Sequence, residues 1–335
     1  MCMPSVSDDL TRALAAIDGA LDEAALRAGF DEAVLAIRAA GRVGVAGPEL
    51  AVGWSGVLRG CVASAARLVS TDQRWSWFVS GSVARGEAVP GSDVETLIVL
   101  DEDAGDTTAL LARAAEAHGV LERCGVPVDA NGVLASRPRF CRTAAQWADG
   151  IARWSADPRQ DRGVVMTGVL ADTVAVYGPA ASDALRAEVV RAARSNYPVR
   201  QYMLQDATTL RATVPSRLKA LATQSDTVDV KLAAVEPVVK IARWAGLSAA
   251  SVQTSTSDRL DAAASADIID AEDVAILQDC FSWLLRFRWD PSREGEVVAL
   301  STLPPQQRAT LRGVARDIAG ISRKLTYLAS TSAFR

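Results

Sequence analysis

Apolar residues in the first seventy positions recur with helical spacing. Leu10, Leu14, Ile17 and Leu21 fall three and four apart, which lines one face of a helix. Gly47-Pro48 interrupts this pattern. In the run that follows, Val57, Leu58, Val62, Ala65, Ala66 and Val69 form an apolar face, with Arg59 and Arg67 pointing outward. The character changes at Trp75. The segment Trp75-Ser76-Trp77-Phe78-Val79 is aromatic and branched and ends on Ser80-Gly81-Ser82, which predicts a strand and then a turn, with Trp75 and Trp77 assigned to opposite faces. Val94 to Leu100 predicts a second strand, closed by Asp101-Glu102-Asp103. A helix from Thr107 to about Cys124 comes next, then a third strand within Val126 to Ala135. Trp147, Ile151 and Trp154 mark a helix between about 140 and 156, whereas Val164 to Val176 is apolar throughout and fits strand or helix equally. Beyond Asp183 the periodicity is helical over 228–247, 272–289 and 305–328. Pro237 predicts a kink in the first of these, and the Ser/Thr-rich stretch 248–257 reads as a loop.

Alternating strands and helices between two helical stretches predict an α+β fold: a small α/β domain with an N-terminal helical segment and a C-terminal helical bundle. The corresponding boundaries are 1–70, 71–182 and 183–335. A chain of 335 residues is also long for one compact core. With 49% apolar and 23% charged residues it buries a core readily and is not a disordered chain.

Charge and composition then exclude several chemistries. A net charge of −4 and a pI near 5.3 carry no overall electrostatic footprint for a nucleic-acid partner. Cys2, Cys61, Cys124, Cys141 and Cys280 are irregularly spaced, without a CxxC pair, and read as reduced core residues. His118 is the one histidine, which removes multi-histidine zinc sites, and it lies in a run that reads as ordinary helix. The N-terminus has acids where a signal peptide needs basic residues, and no uncharged apolar run approaches the ~20 residues that span a bilayer. The expectation is a cytoplasmic protein without a membrane partner.

The candidate chemistry lies in WSWFVSGSVARGEAVPGSDVETLIVL, residues 75–100. Asp93 and Glu95 are separated by one residue at the head of a strand, so both side chains emerge on one face and can share metal ions. Gly81-Ser82 stands where a strand turns into a short helix. Glycine lets backbone N–H groups approach a phosphate, and the serine hydroxyl adds a donor. Arg85 adds positive charge suited to a triphosphate. Two Mg²⁺ ions held by carboxylates are what transfer from a nucleoside triphosphate requires, because charge must be neutralised on both attacking and leaving oxygens.

The string GSVARGEAVPGSDVET resembles the GS-x-x-RGE … SD-x-D signature of the polymerase beta superfamily. More closely, it looks like the N-terminal region of protein-PII uridylyltransferases and of relatives of these with a helical C-terminal substrate-binding domain. Val133 to Pro138, Trp147, Trp154, Asp229-Val230-Lys231, Arg243, Thr256, Arg259-Leu260 and Leu284 to Arg288 carry the likeness along residues 45–330. The resemblance implies a two-Mg²⁺ nucleotidyltransferase that moves a nucleoside monophosphate from an NTP to an acceptor, with a regulatory protein, as in PII uridylylation, one such acceptor. Asp93 and Glu95 hold metal in that reading, and Gly81, Ser82, Arg85, Gly86 and Ser92 bind nucleotide. Asp129 is the first candidate for the third, catalytic carboxylate and Asp172 the second; a loop-capping role for Asp129 stays open beside this. Glu95 stands where the family usually has Asp, and on this departure rests the alternative of a weak or inactive nucleotide-binding signalling protein.

Further along, Lys231, Lys240 and Arg243 fall on one side of a helix as possible substrate-binding residues, with a solvated face the competing reading. Arg286 and Arg288 follow an apolar run, as arginines snorkelling from a packed helix do. The eight tryptophans are expected in cores and interfaces.

Overall fold

A computed structural model of the chain describes residues 6–70, 74–103, 106–209, 212, 214, 226–289 and 295–330. The residues cluster into two compact units, one made mainly of 1–153 and 169–189, the other of 154–168, 190–288 and 292–335.

The first unit begins with α1 (Val6–Asp18), α2 (Glu23–Arg42) and α3 (Gly47–Val69). Asp22 caps α2 by accepting from the Ala25 N–H. The expected interruption at Gly47-Pro48 is a helix start, because proline lacks the N–H that the first turn leaves unused. These helices pack through Ile17, Leu26, Phe30, Trp54, Leu58 and Val62 onto the sheet.

That sheet has the order β3-β2-β1-β4. The strand β1 (Trp75–Ser80) pairs antiparallel with β2 (Glu95–Leu100) and β4 (Val174–Tyr177), while β2 runs parallel to β3 (Cys141–Thr143). All six β1 residues are buried, Ser76 and Ser80 along with the four apolar ones. Trp75 and Trp77, expected on opposite faces, share one: residues two apart in a strand point the same way, and their rings meet edge to face at 5.6 Å. Between β1 and β2 lies the short helix α4 (Gly81–Arg85). Beyond β2 come α5 (Thr107–Arg123), α6 (Ala144–Ala156), α7 (Gly163–Ala171) and α8 (Ala184–Ser195). The apolar stretch 164–176, open between strand and helix, is both: α7 and then β4.

The third strand expected within Val126 to Ala135 does not form. Val128 makes a single bridge to Val94, and the chain then turns at Asp129–Gly132, where Gly132 has φ +91. The third strand is the three-residue β3 instead.

The second unit holds α9 (Tyr197–Thr209), α10 (Glu236–Ser248), α11 (Thr256–Ser265), α12 (Ala271–Arg288) and α13 (Pro305–Ser330), with a two-stranded ribbon of β5 (Thr227–Asp229) and β6 (Val297–Ala299). The kink expected at Pro237 takes the form of a π turn over Lys231–Val235, in which the Glu236 N–H reaches back to the Lys231 carbonyl. Among the described residues, no helix is long and apolar enough to cross a membrane.

Candidate active site

The strand–turn–helix at Ser80–Arg85 is built for close approach. Gly81 has φ +64, a left-handed conformation that glycine adopts without strain. In the β1–β2 ladder Glu95 stands opposite Ser80, which sets its carboxyl beside the next residue. A Cβ at Gly81 would lie 3.0 Å from the Glu95 carboxyl carbon and from one of its oxygens. The glycine thus makes room for the carboxyl of Glu95. Ser80 does not cap α4 with its side chain; its Oγ donates to the Val169 carbonyl at 2.7 Å, tying the turn to α7.

Glu95 sits among other acids. Burial, and then the charges of Asp129, Asp172 and Asp93, push its pKa up to about 7 against the opposing pull of Arg85. Asp93, half-buried, precedes it by two residues with only Val94 between. The pair expected to share a face is thereby joined by both candidates for a third carboxylate.

Each of those two has another engagement. Asp129 is buried, and its oxygens accept from the Asn131 N–H, the Asn131 amide and the Val133 N–H, the last at 2.7 Å. This is the capping arrangement left open above, and it holds the turn that replaces the third strand. Asp172 is fully buried and accepts from Arg85 Nη1 at 2.5 Å. Arg85 also donates to Glu87 at 2.6 Å. Burial alone would lower the Arg85 pKa, but Glu87 and Asp172 outweigh it and hold the guanidinium charged.

The other expected nucleotide-binding positions are structural in what they touch. Gly86, with φ +76, is the left-handed C-cap of α4, at the far end of the helix from Gly81. Ser92 Oγ accepts from the Val89 N–H and closes the turn before Asp93. Ser82 is half-buried in the first turn of α4, where backbone N–H groups have no intrahelical acceptor.

The pattern of apolar positions did not single out the residues that hold α4 in place. Arg59 on α3, assigned to the outward face, turns inward: its Nε and Nη2 donate to the Val83 and Ala84 carbonyls at 2.9 and 3.0 Å. Ser55 on the same helix accepts from the Ala88 N–H. His118 on α5 meets Thr96 through Nε2 at 2.9 Å and Ser136 through Nδ1 at 3.2 Å, and burial lowers its pKa to about 4. No signal local to the sequence marks these contacts, since the partners lie 18 to 33 residues apart.

Lys231 and Arg243 belong to the second unit. Lys231 is exposed at the start of the π turn, and Arg243 lies across α7, its Nη1 3.3 Å from where a Gly168 Cβ would be. Lys240 pairs with Asp206 at 3.1 Å.

As for metal, no group of three or more His, Cys, Asp or Glu side chains among the described residues is gathered tightly enough to hold an ion. Glu95 with Asp93 two residues before it, in an acidic surrounding where Arg85 is already paired with Glu87 and Asp172, fits Mg²⁺ in a different way. That ion takes one or two carboxylates and completes its shell with water and substrate phosphates.

No curated protein matches the chain. Two family descriptions do. "Putative nucleotidyltransferase DUF294" matches residues 50–161, which include most of α3, then β1, α4, β2 and both Asp93 and Glu95. "Putative nucleotidyltransferase substrate binding domain" matches residues 199–328, the greater part of the second unit. Together they cover more than two thirds of the chain, which belongs to this two-part nucleotidyltransferase family.

Proposed function

We propose that the protein is a Mg²⁺-dependent nucleotidyltransferase that moves a nucleoside monophosphate from an NTP to an acceptor held by the C-terminal domain. The observation that carries this reading is the seat of Glu95 against Gly81, two residues from Asp93 and within the field of Asp129. Asp93 and Glu95 would hold the metal. When bound, Mg²⁺ neutralises triphosphate charge and lowers the pKa of an oxygen that it touches.

The chain's own residues supply the rest. The first N–H groups of α4 and the Ser82 hydroxyl donate to phosphate oxygens at the Gly81 turn. An acceptor oxygen attacks the α-phosphorus; the bond to the pyrophosphate oxygen breaks, and pyrophosphate leaves with that electron pair. The proton of the attacking hydroxyl passes to Asp129, favoured over Asp172 because it exerts the larger charge effect on Glu95 and, among the described residues, has no arginine partner. Arg85 keeps α4 in register through Asp172 and Glu87 and acts on the triphosphate only as a background charge.

A regulatory protein is an acceptor suggested by the likeness to PII uridylyltransferases, and a cytoplasmic location accords with such a partner. The test is Mg²⁺-dependent pyrophosphate release from each NTP by the full chain and by Asp93→Asn, with a lysate as acceptor source. Release that the variant lacks supports the reading. NTP binding without release for any acceptor would make the protein a nucleotide-responsive signalling component instead, the role that Glu95 in place of Asp favours.

A further inference from the structure

The second unit contains a cavity of about 820 Å³ between α9 and α13. Drug-sized ligands occupy cavities of roughly 300–1,000 Å³. Its lining includes Arg312, Arg316 and Arg323 from α13, with Tyr327, Ser322 and Thr208, and no carboxylate among the described residues that line it. Arg316 and Arg323 are exposed and make no ion pair with any described residue, whereas their neighbour Lys324 is claimed by Asp270 and Asp273.

The arginines recur at spacings of four and seven, which keeps them on one stripe of α13. At 1.5 Å of rise per residue, the first two stand about 6 Å apart along the axis and the last two about 10 Å. A helix C-terminus favours a cation in its last turn. Arg312 and Arg316 sit in the middle of α13, where the helix dipole calls for none. Arg316 and Arg323 face one cavity with no carboxylate among its described lining residues, and their planar forks match phosphate oxygens in pairs. The separation suits two anionic groups on one elongated molecule better than a single ion.

We propose that this cavity binds a small molecule carrying two separated phosphate groups, an inference that does not depend on the function proposed above. Arg316 and Arg323 each grip one phosphate, at the two ends of the open half of the stripe, Arg312 supports from the half-buried side, and Tyr327 lines the cavity beyond Arg323.

The test titrates the full chain, in EDTA, with hexane-1,6-diol bisphosphate by calorimetry. Hexane-1,6-diol and adipate serve as neutral and dicarboxylate controls. Expected is one saturable site for the bisphosphate, weakened about a hundredfold in Arg316→Gln/Arg323→Gln for two lost charge-assisted contacts. Asp93→Asn, which removes a carboxylate of the other unit, should bind the bisphosphate as wild type does. No bisphosphate binding, equal binding by the double variant, or tighter binding of a single-stranded oligonucleotide overturns the proposal. Circular dichroism and melting of the double variant separate lost binding from lost fold. Should the bisphosphate bind while no NTP releases pyrophosphate, the cavity stands and the transferase reading fails; release without bisphosphate binding is the reverse.

Discussion

Glu95 and Gly81 are in contact across the β1–α4 turn, with 3.0 Å between the Glu95 carboxyl carbon and the place a Gly81 Cβ would take. The relation explains why a glycine precedes the serine of this turn. The backbone at φ +64 and the carboxyl of Glu95 both claim the space a side chain would need.

Gly81→Ala tests this on two scales. Alanine in the left-handed region costs about 1 kcal/mol, which chemical denaturation reads directly. The methyl also displaces the Glu95 carboxyl by a few tenths of an ångström, since the end of a flexible side chain yields more easily than backbone. Pyrophosphate release is therefore expected to fall roughly tenfold or more, beyond what the stability loss explains. Full activity in a folded Gly81→Ala protein would dissociate the contact from the chemistry.

Glu95→Gln removes a charge that burial and three neighbouring acids oppose. In EDTA the variant is expected to melt about 2 °C or more above wild type. Mg²⁺ should raise the wild-type midpoint and leave that of the variant unmoved, with release reduced about a hundredfold or more. A wild-type midpoint indifferent to Mg²⁺ and NTP would count against Glu95 as a ligand.

How much of this was legible beforehand follows from separation along the chain. The β1–turn–β2 segment was readable because its pattern is local: two short runs rich in aromatic and branched residues, a glycine turn and two acids one residue apart. Asp129 and Asp172 emerged as candidates, and the capping role left open for Asp129 was local enough to read, but the engagement of Asp172 was not, because Arg85 lies 87 residues away and that pairing leaves no local trace. The supposed strand at 126–135 failed for a physical reason. Its apolar residues suit a strand, yet the Asp129 side chain takes the N–H groups of Asn131 and Val133, and the chain turns. Arg59 was read as outward because helical periodicity ranks apolar positions, and an arginine buried to cap a neighbouring helix looks the same as a solvated one.

Arg85→Met addresses the buried ion network. The guanidinium is the charge partner of Glu87 and Asp172, whose side chains are 6% and 0% exposed. Removing one partner of a buried network typically costs about 3–5 kcal/mol, because the remaining charges stay desolvated. The expected result in urea unfolding is a loss of that order. The Arg85→Met/Asp172→Leu double variant should recover part of it, a coupling that a double-mutant cycle measures. Additive losses would mean that Arg85 does not act through Asp172.

His118 gives the clearest pH signature. Its ring bridges Thr96 on β2 and Ser136 in the following loop and packs edge to face on Trp77. Burial lowers its pKa from 6.5 to about 4, so the unfolded chain takes up a proton at a pH where the folded protein does not. Its contribution is fully present above pH 6.5 and is lost as pH falls from there towards 4. Between pH 7 and 5 this amounts to about 2 kcal/mol. Glu95, whose pKa is raised, acts with the opposite sign across the same interval, so the wild-type profile by itself shows little. The comparison that isolates the histidine is wild type against His118→Gln, because Glu95 is present in both and drops out of the difference. Glutamine keeps a donor and an acceptor for Thr96 and Ser136 but cannot be protonated. The stability advantage of wild type over this variant should shrink by about 2 kcal/mol on going from pH 7 to 5. A constant difference over that range would show that His118 takes up its proton in the folded protein just as it does in the unfolded chain.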